Sequence, residues 1–290
     1  MRYKTAVAFR TALEQRLNAS AAGLNELLLR QRKLVTFERF VARIQSGRDD
    51  RWLLKGGFAL QLRLGDRART TRDVDVSANL GAFNPAELTP ERIGEVLAEA
   101  AAVDLGDFFV YQVGTSRELA LKAGPVRAYR YPVNGLLGGR TFESFHVDAG
   151  VGDPVVASPV DLPPTGLLDF AELPPVTFRA VSPQQHFAEK VHAMTLPREG
   201  SENSRTHDLA DLMLLLDLEL PSQGDVRSAI ERIFDTRTTH PIPATLPDPP
   251  DSWRDEYAAL ARDLALAQHT LDDAMQRIRD YWKELKWPST

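Results

Sequence analysis

The sequence has no cysteine among its 290 residues. That absence removes disulfide cross-links, thiolate metal sites and cysteine nucleophiles together, and it suits a reducing compartment. Long apolar runs are missing too: nothing approaches the roughly 20 residues of a membrane-spanning helix, and Met1 to Leu17 lacks the apolar core of a secretory signal. The expected location is therefore the cytoplasm, with no membrane partner. Nor is there an excess of positive charge. The formal net charge of −5 excludes a generally basic coat, so any nucleic-acid partner has to be met by a local patch. No internal repeat is visible. What remains is an ordinary globular balance, 43% apolar and 26% charged, in a length that suits one large domain or two ordinary ones.

The densest chemistry lies in Leu53 to Ser77, LLKGGFALQLRLGDRARTTRDVDVS. It reads as a short strand, a Gly56-Gly57 turn into an amphipathic helix, an arginine-rich loop and a second strand carrying Asp73 and Asp75. Residues i and i+2 of a strand share a face, so the two carboxylates project together while Val74 and Val76 go the other way. Like charges so placed repel or share a proton unless a cation lies between them, and a hard divalent ion with oxygen ligands answers that need. Gly56 and Gly57, lacking a Cβ, let backbone N–H groups at a helix start approach an anion such as a phosphate chain. Taken singly, Gly-Gly also reads as a tight turn and D-x-D as a solvated strand edge. Arg63, Arg67, Arg69 and Arg72 make a basic cluster just before the acids, either a polyanion patch or a solvated loop.

Around this stretch, Phe9, Leu13 and Leu17 and then Leu24, Leu27, Leu28, Val35 and Val41 recur at helical spacing, predicting two N-terminal helices over one sheet face with Ser20 as a cap between them. Leu88 to Val103 reads as a helix, with its apolar face behind Thr89-Pro90. Strands are expected at Phe108 to Val113, Val126 to Val133 and Thr141 to Val151. On the last, Ser144, His146 and Asp148 share a face, and Asp148 beside Gly150 is either a strand-end turn former or a third acid. The proline-dense Pro154 to Pro175 reads as irregular wrapping before a strand Val176 to Val181.

Ser182-Pro183 is a helix start. On that helix Lys190 borders the apolar stripe of Phe187, Val191 and Met194, so its ammonium must snorkel out or meet an anion. The helix Arg205 to Asp217 places Asp208 and Asp211 one turn apart, a repulsive pair that Lys190 is suited to neutralise. Further helices are expected over Val226 to Phe234, Trp253 to Leu264 and the stripe from Leu271 to Leu285, with Pro241 to Pro250 as a connector. Arg237, read as exposed at a helix end, is either a phosphate contact or a solvated terminal cation. His186 and His192 lack zinc-ligand spacing.

The ordered strings KGGFALQLRLG, RTTRDVDVS, HFAEKVHAM and SRTHDLADLMLL resemble the AbiEii/AbiGii toxin branch of the polymerase-β-type nucleotidyltransferases, including its mycobacterial members. The resemblance runs from about Leu53 to Asp217 and continues more weakly through AIERIFDTRTTHPIP. It implies an α+β fold, a mixed sheet flanked by helices, with a nucleotidyltransferase domain at 1–181 and a helical domain at 182–290 that completes the site. By motif position, Asp73 and Asp75 match metal-binding acids for Mg²⁺ (with Mn²⁺ as the other candidate), joined by Asp148 as the third acid. Lys190 matches the lysine that meets the triphosphate, and Asp211 the helical acid with Asp208 beside it. Gly56 and Gly57 lie against the NTP phosphates. Arg67, Arg69, Arg72 and Arg237 are left for the acceptor. The resemblance further implies transfer of NMP, from a pyrimidine NTP, to the 3′ end of tRNA, in a monomeric toxin with a separate antitoxin chain. A small-molecule nucleotidyltransferase and a non-catalytic nucleotide-binding module are the alternatives. One departure stands out: relatives carry Ser or Thr after Gly-Gly where this chain has Phe58, so a hydroxyl contact must be replaced or done without.

Overall fold

The computed structural model describes residues 1–48, 51–79, 88–119, 126–198, 200, 202–218 and 220–287. Helices α1 (Ala6–Ala21) and α2 (Asn25–Ile44) precede β1 (Trp52–Lys55), α3 (Gly56–Leu64) and β2 (Asp73–Ala78). Then come α4 (Pro90–Ala101), β3 (Phe109–Val113), β4 (Arg117–Glu118), β5 (Arg127–Leu137), β6 (Arg140–Val151), β7 (Val160–Leu162) and β8 (Phe178–Ala180). The chain closes with α5 (Pro183–Thr195), α6 (Thr206–Leu216), α7 (Gln223–Arg237), α8 (Trp253–Asp263) and α9 (Leu271–Glu284).

The strands form one mixed sheet in the order β3-β5-β6-β2-β1-β8-β7, with β4 on β5. At its centre β2 runs antiparallel to β1 and parallel to β6. Alternation does what the sequence pattern requires: Val74 and Val76 are fully buried while Asp73 and Asp75 face outward. On the apolar face Val74, Val76 and Val147 pack with Phe9 and Leu13 of α1 and with Val35, Phe37 and Phe40 of α2 in one buried cluster. From Leu34 onward α2 is buried on all sides, so its charged residues must find partners. Arg39 and Arg43 both donate to the buried carboxylate of Asp107, and Glu38 accepts from the Thr165 N–H.

The later helices enclose a second core, built from Phe187 and Val191, Leu209 and Leu212, Val226 and Ile230, Tyr257, Ile278 and Trp282. Leu60 of α3 and Ala68 of the arginine loop belong to this second core. The segment that carries the acids is thereby anchored on both sides.

Three expectations about elements change. Ser20 is not a cap: it lies in the last turn of α1, its hydroxyl accepts from Gln31 Nε2, and α2 starts behind Leu24 without a side-chain cap. The proline-dense segment holds a strand, β7, whose three residues between Pro159 and Pro163 pair with β8 at the sheet edge. So short a strand shows no periodicity, and flanking prolines suit an edge. The strand expected from Val176 shrinks to Phe178–Ala180 behind Pro174 and Pro175. Ser182 does cap α5, accepting from the Gln185 N–H, with Pro183 in the first turn.

Candidate active site

A cleft of about 980 Å³ lies between the polar sheet face and the start of the helical half. Its sheet wall carries three carboxylates. Asp75 on β2 is the direct register partner of Asp148 on β6, and Asp73 is that of His146. The sheet thus brings together acids 73 residues apart in sequence. Burial, with the charge of Asp148, pushes the Asp75 carboxyl up to about 6. A cluster of anions that holds one member partly protonated is short of positive charge, and its hard oxygen donors suit a divalent cation such as Mg²⁺. The three acids are aligned rather than closed around one point: among the described residues no group of three or more Asp, Glu or His side chains forms a metal cage. The side chain between them is Arg130 of β5, which donates to Asp148 at 2.7 and 2.6 Å and to Asp73 at 3.1 Å.

The floor is the start of α3. Gly56 takes φ +62°, and a Cβ there would stand 2.0 Å from Asp75 Oδ2; one on Gly57 would stand 2.7 Å from Thr71 Oγ1. The two glycines therefore let Asp75 and Thr71 close onto the helix start, a closer constraint than the backbone approach expected from the sequence. The N-cap residue, Lys55, makes no side-chain capping bond, so the first N–H groups of α3 have no side-chain cap beside the cleft. Phe58 follows Gly57 on this floor, but its side chain turns into the core. It is fully buried, edge-on to Phe37 with ring centroids 5.4 Å apart. It offers the cleft neither its ring nor a hydroxyl. The hydroxyl that does line the cleft beside Gly57 belongs to Thr71.

The opposite wall is a chain of charges. Lys190 Nζ stands 2.7 Å from both Asp208 and Asp211, and Arg69 binds Asp211 with two parallel bonds of 2.9 and 3.0 Å. Burial alone would depress Lys190, but Asp208 and Asp211 hold it above the usual lysine range. Burial would likewise raise Asp211, and Lys190 and Arg69 keep it below the ordinary carboxylate range. Lys190 has three N–H donors, and one remains for a ligand. Beside it, buried His186 accepts at Nδ1 from Arg63, while its Nε2 has no partner among the described residues. Burial drives this imidazole well below its usual range, so it is neutral.

The arginines separate. Arg72 is exposed on the cleft rim. Arg69 is tied to Asp211 and cannot also serve as a free acceptor contact. Arg67 faces away from the cleft and pairs with Asp217. Arg63 donates into the Val181 carbonyl, and burial lowers it to about 10. Arg237, read from the sequence as exposed, is largely buried and binds Asp153 at 2.9 Å. That same Asp153 accepts from Lys55 at 2.7 Å. Sequence reasoning missed Arg130, Lys55 and Asp153, since each is defined by a partner far off in the chain. It also missed Arg30 and Lys33 of α2, which complete the cleft rim. In all, nine Lys and Arg side chains line the cleft against six Asp and Glu. A polyanion is favoured there despite the negative protein.

Residues 39–282 match the nucleotidyl transferase AbiEii toxin family of type IV toxin–antitoxin systems. The chain belongs to the AbiEii family. Among solved structures, this AbiEii-family chain is similar to one titled "Crystal structure of putative nucleotidyltransferase from H. pylori", at 14% identity over 91% of this chain and 100% of that one, with a TM-score of 0.40. No curated protein matches it in sequence.

Proposed function

We propose that the protein is a cytosolic, monomeric toxin that transfers NMP from an NTP, a pyrimidine nucleotide by preference, to the 3′ end of tRNA, blocking aminoacylation until a separate antitoxin restrains it. The observation that carries this reading is the placement of Asp73, Asp75 and Asp148 on one wall of a cation-rich cleft with Lys190 on the other. Asp73 and Asp75 are the residues to hold Mg²⁺, with Asp148 and Arg130 beside them. When bound, the ion supplies Lewis-acid polarisation of the α-phosphate and a lower pKa for the attacking hydroxyl. The chain itself supplies the rest. The N–H groups at the start of α3 and the remaining Lys190 donor are placed to take charge on the leaving pyrophosphate. Arg72, Lys33 and Arg30 on the rim favour a polyanionic acceptor over a small neutral one. Phe58, the departure from the family pattern, does not line the cleft, so it gives the non-catalytic alternative no support.

The test is incubation of the protein with labelled NTPs and total RNA, with and without Mg²⁺, beside the Asp75→Ala variant. Label in tRNA that requires Mg²⁺ and Asp75 is the expected result. Label in small molecules would make the protein a small-molecule nucleotidyltransferase, and no label would make it a binding module.

A further inference from the structure

Asp75 and Asp148 face two cavities. Besides the charged cleft they border a second one of about 310 Å³, which also shares Lys55, Arg205 and Arg237 with the cleft. The wall it does not share has a different character. Leu119, Val126, Ala128 and Leu196 give it an aliphatic part, beside which lie the polar groups of Arg127, Asp153, His192 and Thr239. A ligand seated at the acids would thus find a charged cleft in one direction and a small chamber with an aliphatic patch in the other.

The hydrogen bonds behind that chamber run in one direction only. Thr195 Oγ1 donates to the Val191 carbonyl at 2.9 Å, so it accepts from His240 Nε2 at the same distance. His240 Nδ1 must then accept from Thr239 Oγ1 at 3.0 Å, and Thr239 in turn accepts from His192 Nε2 at 2.8 Å. His192 Nδ1 is left to accept from Arg237 at 3.2 Å. Burial, with Arg237 beside it, depresses His192 to about 3, which agrees with the neutral tautomer this direction requires. Thr239 has therefore spent its one hydrogen and offers a ligand a lone pair. Arg237 uses Nε on Asp153 and Nη1 on His192, and its remaining N–H groups border the shared space. Among the groups that line the chamber, Thr239 and Arg237 thus set an acceptor and a donor two residues apart, beside the aliphatic patch.

We infer that this second cavity binds the nucleoside of the NTP, with Arg237 and Thr239 meeting the hydrogen-bonding edge of the base and the aliphatic patch covering its ring. The assignment rests on the nucleotidyl transfer proposed above. It divides the substrate by chemistry: the triphosphate lies on the side of Gly56, Gly57 and Lys190, the weakly polar base on the side of Ala128 and Leu196, and the α-phosphate between them at the acids. Volumes of a few hundred Å³, mostly apolar with a few placed polar groups, are those of small-molecule sites. Arg237 then reads the nucleotide rather than the acceptor.

Equilibrium binding of ATP, GTP, CTP, UTP and inorganic tripolyphosphate to the full chain in Mg²⁺ tests this. Ala128→Phe and Leu196→Trp fill the chamber from two different elements, so a folding failure in one leaves the other informative. Each is expected to raise the Kd of the preferred NTP by at least about tenfold while leaving tripolyphosphate affinity unchanged. Thr239→Val should narrow the spread among the four NTPs, and Thr239→Ser should restore it. NTP binding retained in both filled variants overturns the inference, as does a loss shared equally by NTP and tripolyphosphate. If the wild-type chain binds neither NTP nor tripolyphosphate, nucleotidyl transfer itself falls; if it binds both equally well, only the nucleoside site does.

Discussion

Asp75 sits directly opposite Asp148 in the parallel register of β2 and β6, and burial together with that neighbouring charge lifts its carboxyl to about 6. The fold therefore holds an acid in a state it resists. Repulsion of this kind is useful only where a cation is to be recruited, and it makes the site's chemistry visible in stability measurements.

A carboxyl raised in the folded state stabilises the fold when protonated. Between its ordinary value of 3.8 and about 6, the folded protein binds more protons than the unfolded chain, so stability falls as pH rises through that window. At roughly 1.4 kcal/mol per pKa unit, the loss above pH 6 is at most about 3 kcal/mol. Asp75→Asn should remove this slope and unfold at a higher temperature than wild type at pH 7 without divalent ions. Mg²⁺ should raise the wild-type midpoint and leave that of Asp75→Asn unmoved, while both Asp73→Ala and Asp75→Ala abolish transfer. A wild-type midpoint indifferent to Mg²⁺ would remove the acids from the metal assignment.

Phe58 and Thr71 separate the core from the phosphate floor. Phe58→Ser empties a fully buried ring position and should cost about 3 to 5 kcal/mol of stability with no gain in NTP affinity. Thr71→Val keeps the shape beside Gly57 and loses the hydroxyl that donates to the Asp73 carbonyl at 3.2 Å, so stability should fall by about 1 kcal/mol at an unchanged NTP affinity. Denaturant titration and NTP binding on both variants check this; a loss of NTP affinity in Thr71→Val at unchanged stability would make the threonine a phosphate contact.

Lys190 is shared by two carboxylates that each also meet an arginine, Arg69 on Asp211 and Arg205 on Asp208. Lys190→Met leaves those arginines as their partners, so the cost should fall below the roughly 3 to 5 kcal/mol of an unpaired buried charge. Adding Asp211→Asn should recover part of the lost stability. NTP use should stay low in the double variant, because the donor to the phosphates is still missing. Thermal denaturation beside steady-state kinetics decides it, and a double variant that recovers activity along with stability would make Lys190 purely structural.

Much of this was legible in the chain because local periodicity carried it. The D-x-D alternation put Asp73 and Asp75 on one face, and the i, i+3 spacing of Asp208 and Asp211 called for a cation that Lys190 supplies. What sequence could not show was partnership across the fold. Four arginines within ten residues look alike in a string, yet Arg63 meets a carbonyl, Arg67 and Arg69 meet carboxylates more than 140 residues away, and Arg72 faces the cleft. Arg237 seemed a helix-end cation for the same reason: its carboxylate, Asp153, lies 84 residues before it.

That separation changes the expected behaviour of the basic patch. If RNA phosphates are held at the rim, binding must weaken as salt rises, with a log–log slope of roughly 0.7 to 0.9 per phosphate contact. Arg72 and Lys33 border the cleft with no ion pair among the described residues, so Arg72→Ala and Lys33→Ala should each flatten the slope of tRNA binding by about one contact and leave the melting temperature alone. Arg67→Ala removes an exposed pair with Asp217, worth about 0 to 1 kcal/mol of stability, and should leave the slope intact. Arg69→Ala should instead lower stability by freeing buried Asp211, with little change in slope for whatever protein remains folded. The measurement is tRNA affinity over a salt series without NTP, beside thermal denaturation of the same four variants. Parallel lines for Arg72→Ala, Lys33→Ala and wild type would take the acceptor away from this rim. A flattened line for Arg67→Ala would mean that the acceptor path crosses the outer face of the arginine loop rather than the mouth of the cleft.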